Sequence, residues 1–323
     1  AHAFVLGVEA EERVGLSVFP EHYEAGWHIT GTAGVFGAAA AAGKLLGLDE
    51  QRMCWALGIA ATQSSGLQEM FGSMCKSLHP GNAAQNGLRA ALLAASGFTS
   101  SERAIEAPRG FANVLSRKFD AKVITEGLGE RYELLSNMYK PYACGLVVHA
   151  AIDGCLSICE ENGLAPDGIE AVELDVSPLV ARLTGNKAPQ TGLEGKYSVS
   201  HAVAAAIVHG AAGEAQFCDA CVRDPRVVAV RGRVPTREHA AIGRTEARVT
   251  IRAPGGRSFT RHVEHALGSL KRPMSDADLE GKFRALAQDV LPAAQVGEII
   301  GLCWRVAALD DAGAVARAAA SKR

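Results

Sequence analysis

The segment Phe71-Gly-Ser-Met-Cys-Lys-Ser-Leu-His-Pro-Gly81 sets a lysine and a histidine among small residues, within sequence that is otherwise apolar and of helical periodicity. Pro80-Gly81 predicts a helix end or turn directly after His79, and Asn82 can cap a following helix. An ammonium group and a titratable imidazole therefore lie at a helix junction, where both can face a cleft. A solvated turn with a surface lysine is the alternative interpretation of the segment.

The composition around this segment favours a large, closely packed helical protein. The chain has 323 residues, of which 48% are hydrophobic and 6% aromatic, and it contains 35 glycines. This length predicts one large or two moderate units, and the small apolar residues favour closely packed helices. With 33 basic and 35 acidic residues the formal net charge is -2. With this small net charge, the protein as a whole has no electrostatic attraction to nucleic acid or to an anionic membrane. The alanine-rich run at 38–42 is too short to span a bilayer.

The cysteines and the cofactor motifs narrow the possible chemistry. Eight cysteines are scattered along the chain without an N-terminal signal peptide, which predicts reduced thiols and a cytoplasmic location. Cys218-Asp-Ala-Cys221 has the spacing of a metal or redox motif, but no second such pair accompanies it, so we interpret both as packing residues. Phosphate-loop, GxGxxG, GxSxG and HExxH motifs are absent from the sequence. It therefore predicts neither a metal nor an organic cofactor.

Residues 1–137 have helical periodicity interrupted by short Gly or Pro breaks. Asp49 is the expected N-cap of one of these helices, and residues 100–103 are expected to begin another. No strand is predicted in this part. The predicted helices cover residues 3–18, 34–46, 52–63 and 82–95.

Beyond Tyr139 the pattern predicts an α+β module, which we assign to residues 138–270, and residues 271–323 return to helical spacing. Pro254-Gly-Gly256 predicts the turn of a hairpin. The expected fold class is mainly α with an α+β insert, in which residues 1–137 and 271–323 form one helical domain. The predicted helices of the module cover 141–161 and 201–212, and its strands 169–176, 227–234, 246–252 and 258–263.

Four places set cationic or titratable side chains among glycines and other small residues: His28, Lys76 with His79, Lys140, and residues 196–201, which end at His201. Taken singly, a histidine in a helical core is more often a hydrogen-bonded packing residue than a catalyst. Taken together, lysines and imidazoles without a carboxylate cluster suit a small polycarboxylate substrate, whose charges need paired donors once desolvated. An imidazole could remove a proton next to a substrate carboxylate.

With these segments assembled, the sequence resembles the MmgE/PrpD family over essentially its whole length. That resemblance implies an all-helical domain built from both chain ends, an inserted α+β lid, a homodimer, and an enzyme that needs no metal or organic cofactor. The stretches that carry it are Gly26-Trp-His-Ile-Thr-Gly-Thr-Ala-Gly34, Ala56-Leu-Gly-Ile-Ala-Ala-Thr-Gln63, the opening segment, Gly97-Phe-Thr99, Lys140-Pro-Tyr-Ala-Cys144 with His149, and Lys196-Tyr-Ser-Val-Ser-His201.

The resemblance also implies roles for single residues. His201 occupies a position where several members, including those of the decarboxylase type, have a tyrosine. This difference argues against decarboxylation, because a phenol and an imidazole differ in reach and pKa. The implied roles are catalytic for His28, Lys76 and His201, and substrate-binding for Thr30, His79 and Lys140.

We interpret the chain as a cytoplasmic hydro-lyase that dehydrates a small tricarboxylate of the 2-methylcitrate type, as in propionate catabolism. A cis-aconitate-type decarboxylase and an iminodisuccinate-type epimerase are the alternatives within the family. Family members begin with further helices that carry an aspartate and a histidine, and no segment of this sequence matches them. This predicts an incomplete or inactive chain, so a binding or scaffold protein is the third alternative.

Overall fold

The computed structural model describes residues 1–320, which fall into two compact units. The first unit comprises residues 1–137 and the second begins at Met138. The predicted fold class, mainly α with an α+β part, is confirmed, whereas the return of residues 271–323 to the helical domain stays a prediction. Within residues 1–320, no helix combines the length and apolarity needed to cross a membrane.

The first unit is built of helices and turns, with one isolated antiparallel bridge between Trp27 and Leu67. Two 3₁₀ turns cover Gln68–Met70 and Glu133–Ser136. The helices are α1 (His2–Val18), α2 (Glu21–Glu24), α3 (Ile29–Leu45), α4 (Glu50–Ala61), α5 (Cys75–Ala95), α6 (Phe111–Leu115) and α7 (Ala121–Thr125).

Helix α3 packs against α1, α4 and α5, and small side chains let these helices approach closely. At Gly87 of α5, a Cβ atom would stand only 2.4 Å from the Cβ of Ala38 and 2.6 Å from the carbonyl oxygen of Val35. The predicted helices over 3–18 and 34–46 are confirmed, and Asp49 caps α4 by accepting a hydrogen bond from the backbone N–H of Arg52 at 2.8 Å. The first unit is therefore a dense helical bundle.

The predicted helix end at Pro80-Gly81 is wrong, because α5 runs through both residues. Proline lacks an N–H and therefore removes one hydrogen bond of the helical ladder. Pro80 lies early in α5, so this gap falls close to the helix end, where backbone groups already lack intrahelical partners. Burial of Ala83, Ala90 and Ala94 on the same helix overrides the local turn signal.

The predicted helix entry at residues 100–103 is also wrong, since the chain there forms turns and the next helix is α6. The Ser100 hydroxyl donates to the backbone carbonyl of Trp55 at 3.0 Å instead of capping a helix. A serine hydroxyl can either cap a helix or bond to a distant backbone group. In Ser100 it bonds to the backbone of α4.

The second unit combines a four-stranded sheet with helices. Short 3₁₀ turns cover Leu146–Val148, Pro166–Gly168, Glu214–Phe217 and Val306–Ala308. The strands are β1 (Ala171–Val176), β2 (Thr236–Glu238), β3 (Ala247–Ala253) and β4 (Arg257–Val263), and the helices are α8 (His149–Asn162), α9 (Pro178–Thr184), α10 (Gly192–Gly195), α11 (Val199–His209), α12 (Asp219–Arg223), α13 (Pro225–Arg231), α14 (Asp276–Ala287), α15 (Ala293–Trp304) and α16 (Gly313–Ala318).

The strand order is β2-β1-β3-β4, with β1 parallel to β2 and antiparallel to β3. Alternation in β1 buries Val172, Leu174 and Val176, while Glu173 on the opposite face pairs with Arg252 of β3. Helix α8 packs on β3 and β4. The predicted strand over 169–176 and the predicted β3–β4 hairpin are thus confirmed.

The predicted strand over 227–234 is wrong, because these residues belong mostly to α13. Asp224 accepts from the backbone N–H of Arg226, and Pro225 occupies the first helical position, which together start a helix. Val227 and Val230 are both buried, at a spacing of three residues. A run of β-branched residues therefore packs as a helix, since capping and burial outweigh strand propensity.

The predicted helix over 141–161 begins only at His149. Before it, the backbone N–H groups of Ala143 and Gly145 donate to the carbonyls of Ala212 and Lys196, at 3.0 and 3.1 Å. These bonds tie the segment that carries Lys140 to other parts of the second unit. Its backbone donors are thus unavailable for a helical ladder.

Candidate active site

Two histidine imidazoles meet inside the first unit. His28 is the N-cap of α3 and His79 lies in the second turn of α5, and their Nδ1 atoms are 2.8 Å apart. Both side chains are nearly withdrawn from solvent, with 6% and 8% of their surface exposed. The structure therefore brings together two of the histidines singled out in the sequence, although 51 positions separate them.

The loop before α5 holds the two imidazoles in contact. The backbone N–H of His28 donates to the carbonyl of Gly66 at 3.0 Å. Gly66 has a φ of +135°, and a Cβ there would lie 3.2 Å from Nδ1 of His79 and 3.5 Å from Cβ of His28. Only glycine combines this backbone conformation with so little space, so the loop closes directly over the imidazole pair.

Burial, the positive charge of Lys76 and the neighbouring His79 together lower the pKa of His28 to about 4. His28 is therefore neutral near pH 7 and keeps one ring nitrogen unprotonated. The edge of its ring also meets Phe71 at a centroid distance of 5.0 Å. A neutral, partly desolvated imidazole is the form that acts as a general base.

Lys76 lies one turn before His79 on α5 and is half-buried. Residues three positions apart share a helix face, and the charge of Lys76 is felt at His28. Thr30 lies in the first turn of α3, two residues after His28, and is exposed. The first unit thus places an ammonium group beside the imidazole pair and a hydroxyl near His28 in the chain.

A further histidine, which the sequence analysis did not assign, holds the start of α3. His22 is fully buried. Its Nδ1 donates to the carbonyl of Leu115 at 2.9 Å, and its Nε2 accepts from the Thr32 hydroxyl at 2.7 Å. The Ser64 hydroxyl donates to the carbonyl of Thr32 at 2.8 Å. The only signal in the sequence is that His22 precedes the glycine-containing turn that carries His28.

In the second unit, Lys140 is exposed and His149 is fully buried. Burial and then the charge of Lys140 lower the pKa of His149 to about 4, which the backbone at Cys144 offsets in part. Within residues 1–320, neither ring nitrogen of His149 has a hydrogen bond of normal geometry. The ring stacks edge-on against Tyr142, with centroids 5.2 Å apart. Lys140 therefore lies close enough to His149 for its charge to act on the imidazole.

Tyr142 is hydrogen-bonded to a buried carboxylate that was not predicted from the sequence. The Tyr142 hydroxyl donates to one oxygen of Asp153. The other oxygen accepts from the backbone N–H of Leu267 at 2.7 Å and from Arg272 at 2.9 Å. Burial and the hydrogen bond to Asp153 raise the pKa of Tyr142. The i+4 spacing of His149 and Asp153 on α8 was the signal available in the sequence.

His201 is fully buried in α11. Its Nε2 donates to the carbonyl of Gln216 at 2.9 Å, its Nδ1 has no partner among the described residues, and burial lowers its pKa. Nearby, Lys196 is paired with both carboxylate oxygens of Glu214, at 2.7 and 2.9 Å. His201 therefore has the surroundings of a packing residue, and its catalytic role stays a prediction.

Two other candidate ligand-binding features do not include the imidazole pair. Cys221 is buried beside His209 and Cys218 is exposed, and no group of three possible metal ligands occurs among residues 1–320. A cavity of about 800 Å³ lies in the first unit between the end of α4, the turns at 98–110 and α6. Its lining includes Thr62, Arg103 and Arg109 but none of His28, Lys76 and His79.

The fold and the site define a mainly α protein with a small mixed sheet in its second unit and a buried imidazole pair in its first. Residues 2–124 match the MmgE/PrpD N-terminal domain and residues 142–306 match the MmgE/PrpD C-terminal domain. The chain therefore belongs to the MmgE/PrpD family, and the resemblance noted in the sequence is confirmed.

Its relatives include cis-aconitate decarboxylases. One from Aspergillus terreus is 28% identical over 336 residues, covering 96% of this chain and 68% of the relative. The human protein is 24% identical, with 96% and 66% covered, and the mouse protein 25% identical, with 98% and 67% covered. The chain thus spans about two thirds of the length of these relatives.

Proposed function

We propose that this chain is a lyase, or the larger part of one, that acts on a small tricarboxylate by proton transfer at His28. The observation that supports this proposal is the buried His28–His79 pair with Lys76 one turn away on α5. A neutral imidazole beside a fixed cation is suited to abstract a proton next to a carboxylate, because the cation stabilises the negative charge that develops.

In the dehydration that the sequence predicts, His28 removes the proton from the carbon next to a substrate carboxylate. The electron pair of that C–H bond forms a carbon–carbon double bond as the hydroxyl group on the adjacent carbon leaves. The leaving hydroxide takes up a proton and departs as water. Lys76 binds the carboxylate beside the reacting carbon, so that its charge is greatest where the transition state needs it.

Decarboxylation is the second candidate, and the names of the relatives favour it. Here the C–C bond to one carboxylate breaks, carbon dioxide leaves, and the electron pair left on carbon takes up a proton that comes from solvent. The difference between histidine and tyrosine at position 201 argues against this reaction only if His201 faces the substrate. The Nε2 of His201 is instead bonded to the carbonyl of Gln216 inside the second unit, so this difference does not exclude decarboxylation.

The other roles expected from the sequence belong to the same proposal. Thr30 is exposed near His28 and Lys140 is exposed in the second unit, so both remain candidates for carboxylate contacts. The homodimer implied by the family resemblance stays a prediction, which sedimentation analysis of the purified chain measures directly.

Product analysis by NMR in deuterated water tests the function. The chain is incubated with 2-methylcitrate and, separately, with cis-aconitate. Dehydration gives an alkene, decarboxylation releases carbon dioxide, and epimerisation exchanges one proton without loss of a group. Turnover of neither acid, combined with binding measured by calorimetry, would support the non-catalytic binding protein; absence of both turnover and binding would overturn the proposal altogether.

Variants at two lysines test the site. We expect Lys76→Ala to lower kcat/KM on the order of 10²-fold or more, as the loss of one preorganised donor typically does. Lys44→Ala removes an exposed lysine from the last turn of α3 and is the matched control. Equal turnover by the two variants would assign Lys76 to a solvated surface instead of a substrate site.

A further inference from the structure

The distance of 2.8 Å between the Nδ1 atoms of His28 and His79 restricts where the protons of the two rings can be. Two nitrogen lone pairs repel at this distance, and two N–H groups would collide, so one Nδ1 carries a hydrogen and the other accepts it. The rings therefore share a single proton on the line between their Nδ1 atoms.

This shared proton makes the two outer nitrogens different. A neutral imidazole has one N–H and one lone pair. In a neutral pair, the ring that donates from Nδ1 keeps a lone pair on Nε2, while the ring that accepts at Nδ1 carries its hydrogen on Nε2. One Nε2 of the pair is thus a base and the other a hydrogen-bond donor.

The proposed role of His28 as the base determines which ring donates. Nδ1 of His28 is occupied by His79, so His28 can take the substrate proton only at Nε2, which must then carry a lone pair. The ammonium charge of Lys76 disfavours the doubly protonated form of the His28 ring. His28 is therefore the donor at Nδ1 and keeps the lone pair at Nε2.

We propose that His79 is a positioning residue that accepts the Nδ1–H of His28 and thereby holds His28 in the tautomer whose Nε2 abstracts the substrate proton. This inference rests on the proposed function, and it replaces the substrate-binding role that the sequence suggested for His79. In the reaction, Nε2 of His28 gains the substrate proton while Nδ1–H stays bonded to His79. The proton later leaves Nε2 for the departing hydroxide in dehydration, or returns to the substrate carbon in epimerisation, which restores the pair.

The surroundings of the pair fit this role. The carbonyl of Gly66 holds the backbone of His28, and the absent side chain of Gly66 leaves room for His79. Phe71 limits the other side of the His28 ring. Both rings are thereby confined to the orientation in which Nδ1 faces Nδ1.

NMR of ¹⁵N-labelled histidines in the unmodified chain tests the tautomer without any substrate. We expect Nδ1 of His28 to show the shift and proton coupling of an N–H nitrogen, and Nε2 the shift of an unprotonated nitrogen. His22 serves as an internal reference, because its Nδ1 bonds to a carbonyl and must carry a hydrogen. An unprotonated Nδ1 on His28 would overturn the assignment.

Two variants test whether His79 sets that tautomer. His79→Leu removes the acceptor, so we expect a mixed tautomer at His28 and at least a tenfold loss of kcat with little change in KM. His79→Asp restores an acceptor that cannot donate, so we expect the Nδ1–H tautomer to return and the acidic limb of the pH–rate profile to move to higher pH. Circular dichroism establishes that each variant is folded.

The outcomes separate this inference from the proposed function. The expected tautomer in a chain that turns over neither acid would leave the positioning role in place and remove the lyase proposal. Turnover in a chain whose His28 tautomer is the same with His79 and with leucine would leave the lyase proposal in place. In that case His79 is a packing residue and the inference is wrong.

Discussion

Arg13 and Glu9 form a buried ion pair on α1, with Nε of Arg13 2.6 Å from Oε1 of Glu9. The remaining guanidinium N–H groups donate to backbone carbonyls between residues 123 and 131, including those of Glu126 at 2.9 Å and Arg131 at 2.6 Å. The second oxygen of Glu9 accepts from the backbone N–H of Leu134 at 3.3 Å. One pair of charged side chains thus fastens the end of the first unit to its first helix.

We expect Arg13→Met to destabilise the chain by about 3–5 kcal/mol, because it leaves a buried carboxylate without its cation and several carbonyls without donors. The measurement is denaturant-induced unfolding followed by circular dichroism. Arg52→Met is the control, since Arg52 is half-exposed and lies 4.0 Å from Asp49, and we expect a change of about 1 kcal/mol or less. Equal effects of the two changes would contradict the fastening role of Arg13.

We expect Gly66→Ala to weaken the imidazole pair as well as the fold. An alanine with positive φ costs about 1–3 kcal/mol, and its Cβ would press on Nδ1 of His79. Gly72→Ala is a matched control, because Gly72 also has positive φ, +87°, but a Cβ at that position would meet no atom within 4 Å. In thermal unfolding, both variants should lose a similar amount of stability from backbone strain. Only Gly66→Ala should also alter the His28 ¹⁵N signals. An unchanged His28 spectrum in Gly66→Ala would show that the loop does not set the pair.

The buried histidines predict that acid destabilises the chain. The pKa of His149 is about 4 in the folded chain, against about 6.5 for an unperturbed histidine. Below pH 6.5 His149 binds a proton in the unfolded chain but not in the folded chain, so its contribution to stability falls from pH 6.5 to about 4 and is constant below. At 1.36 kcal/mol per pKa unit, His149 contributes up to about 3 kcal/mol to this loss.

Urea unfolding at pH 7 and pH 5 measures this effect in the unmodified chain and in His149→Phe. We expect the variant to lose less stability between the two pH values, because phenylalanine binds no proton. His2→Phe, at an exposed position, is the control and should retain the pH dependence of the unmodified chain. A variant at 149 with that same pH dependence would contradict the prediction.

We expect changes at His201 to act on stability first. His201→Leu leaves the partly buried carbonyl of Gln216 without its donor, at a cost of about 1–3 kcal/mol. His201→Gln can place an amide N–H near the position of Nε2 and should lose less. Both variants should keep the kcat of the folded fraction within a few-fold. A large loss of kcat in folded His201→Gln would instead support the catalytic role expected from the sequence.

Local signals in the sequence predicted much of the fold. Asp49 was recognised as a cap because its side chain needs only the N–H of a residue three positions later. The alternation in β1 was recognised because one face of the strand is buried. Where tertiary packing opposes a local signal, prediction failed: α5 continues through Pro80-Gly81, and α13 forms from a valine-rich run.

The candidate site was predicted in part for the same reason. His28 and Lys76 could be singled out because they lie in glycine-containing segments that resemble a family. That His28 bonds directly to His79 depends on how α3 and α5 pack, which no local pattern encodes. Likewise, nothing near Arg13 in the sequence shows that the backbone carbonyls it binds lie more than 100 residues away.

Proline at position 80 has a consequence for the motions of α5. Because proline has no N–H, the helical bond that residue 80 would otherwise donate to the preceding turn is missing. The first amides of the helix donate to carbonyls only three residues earlier, as the N–H of Lys76 does to the carbonyl of Ser73 at 3.2 Å. Amide hydrogens in this first turn should exchange with solvent much faster than those of residues 83–94, where the helix packs on α3. The longest helix of the first unit thus opens most readily at the end that carries Lys76 and His79, so local opening there can separate the two imidazoles while the rest of the helix stays folded.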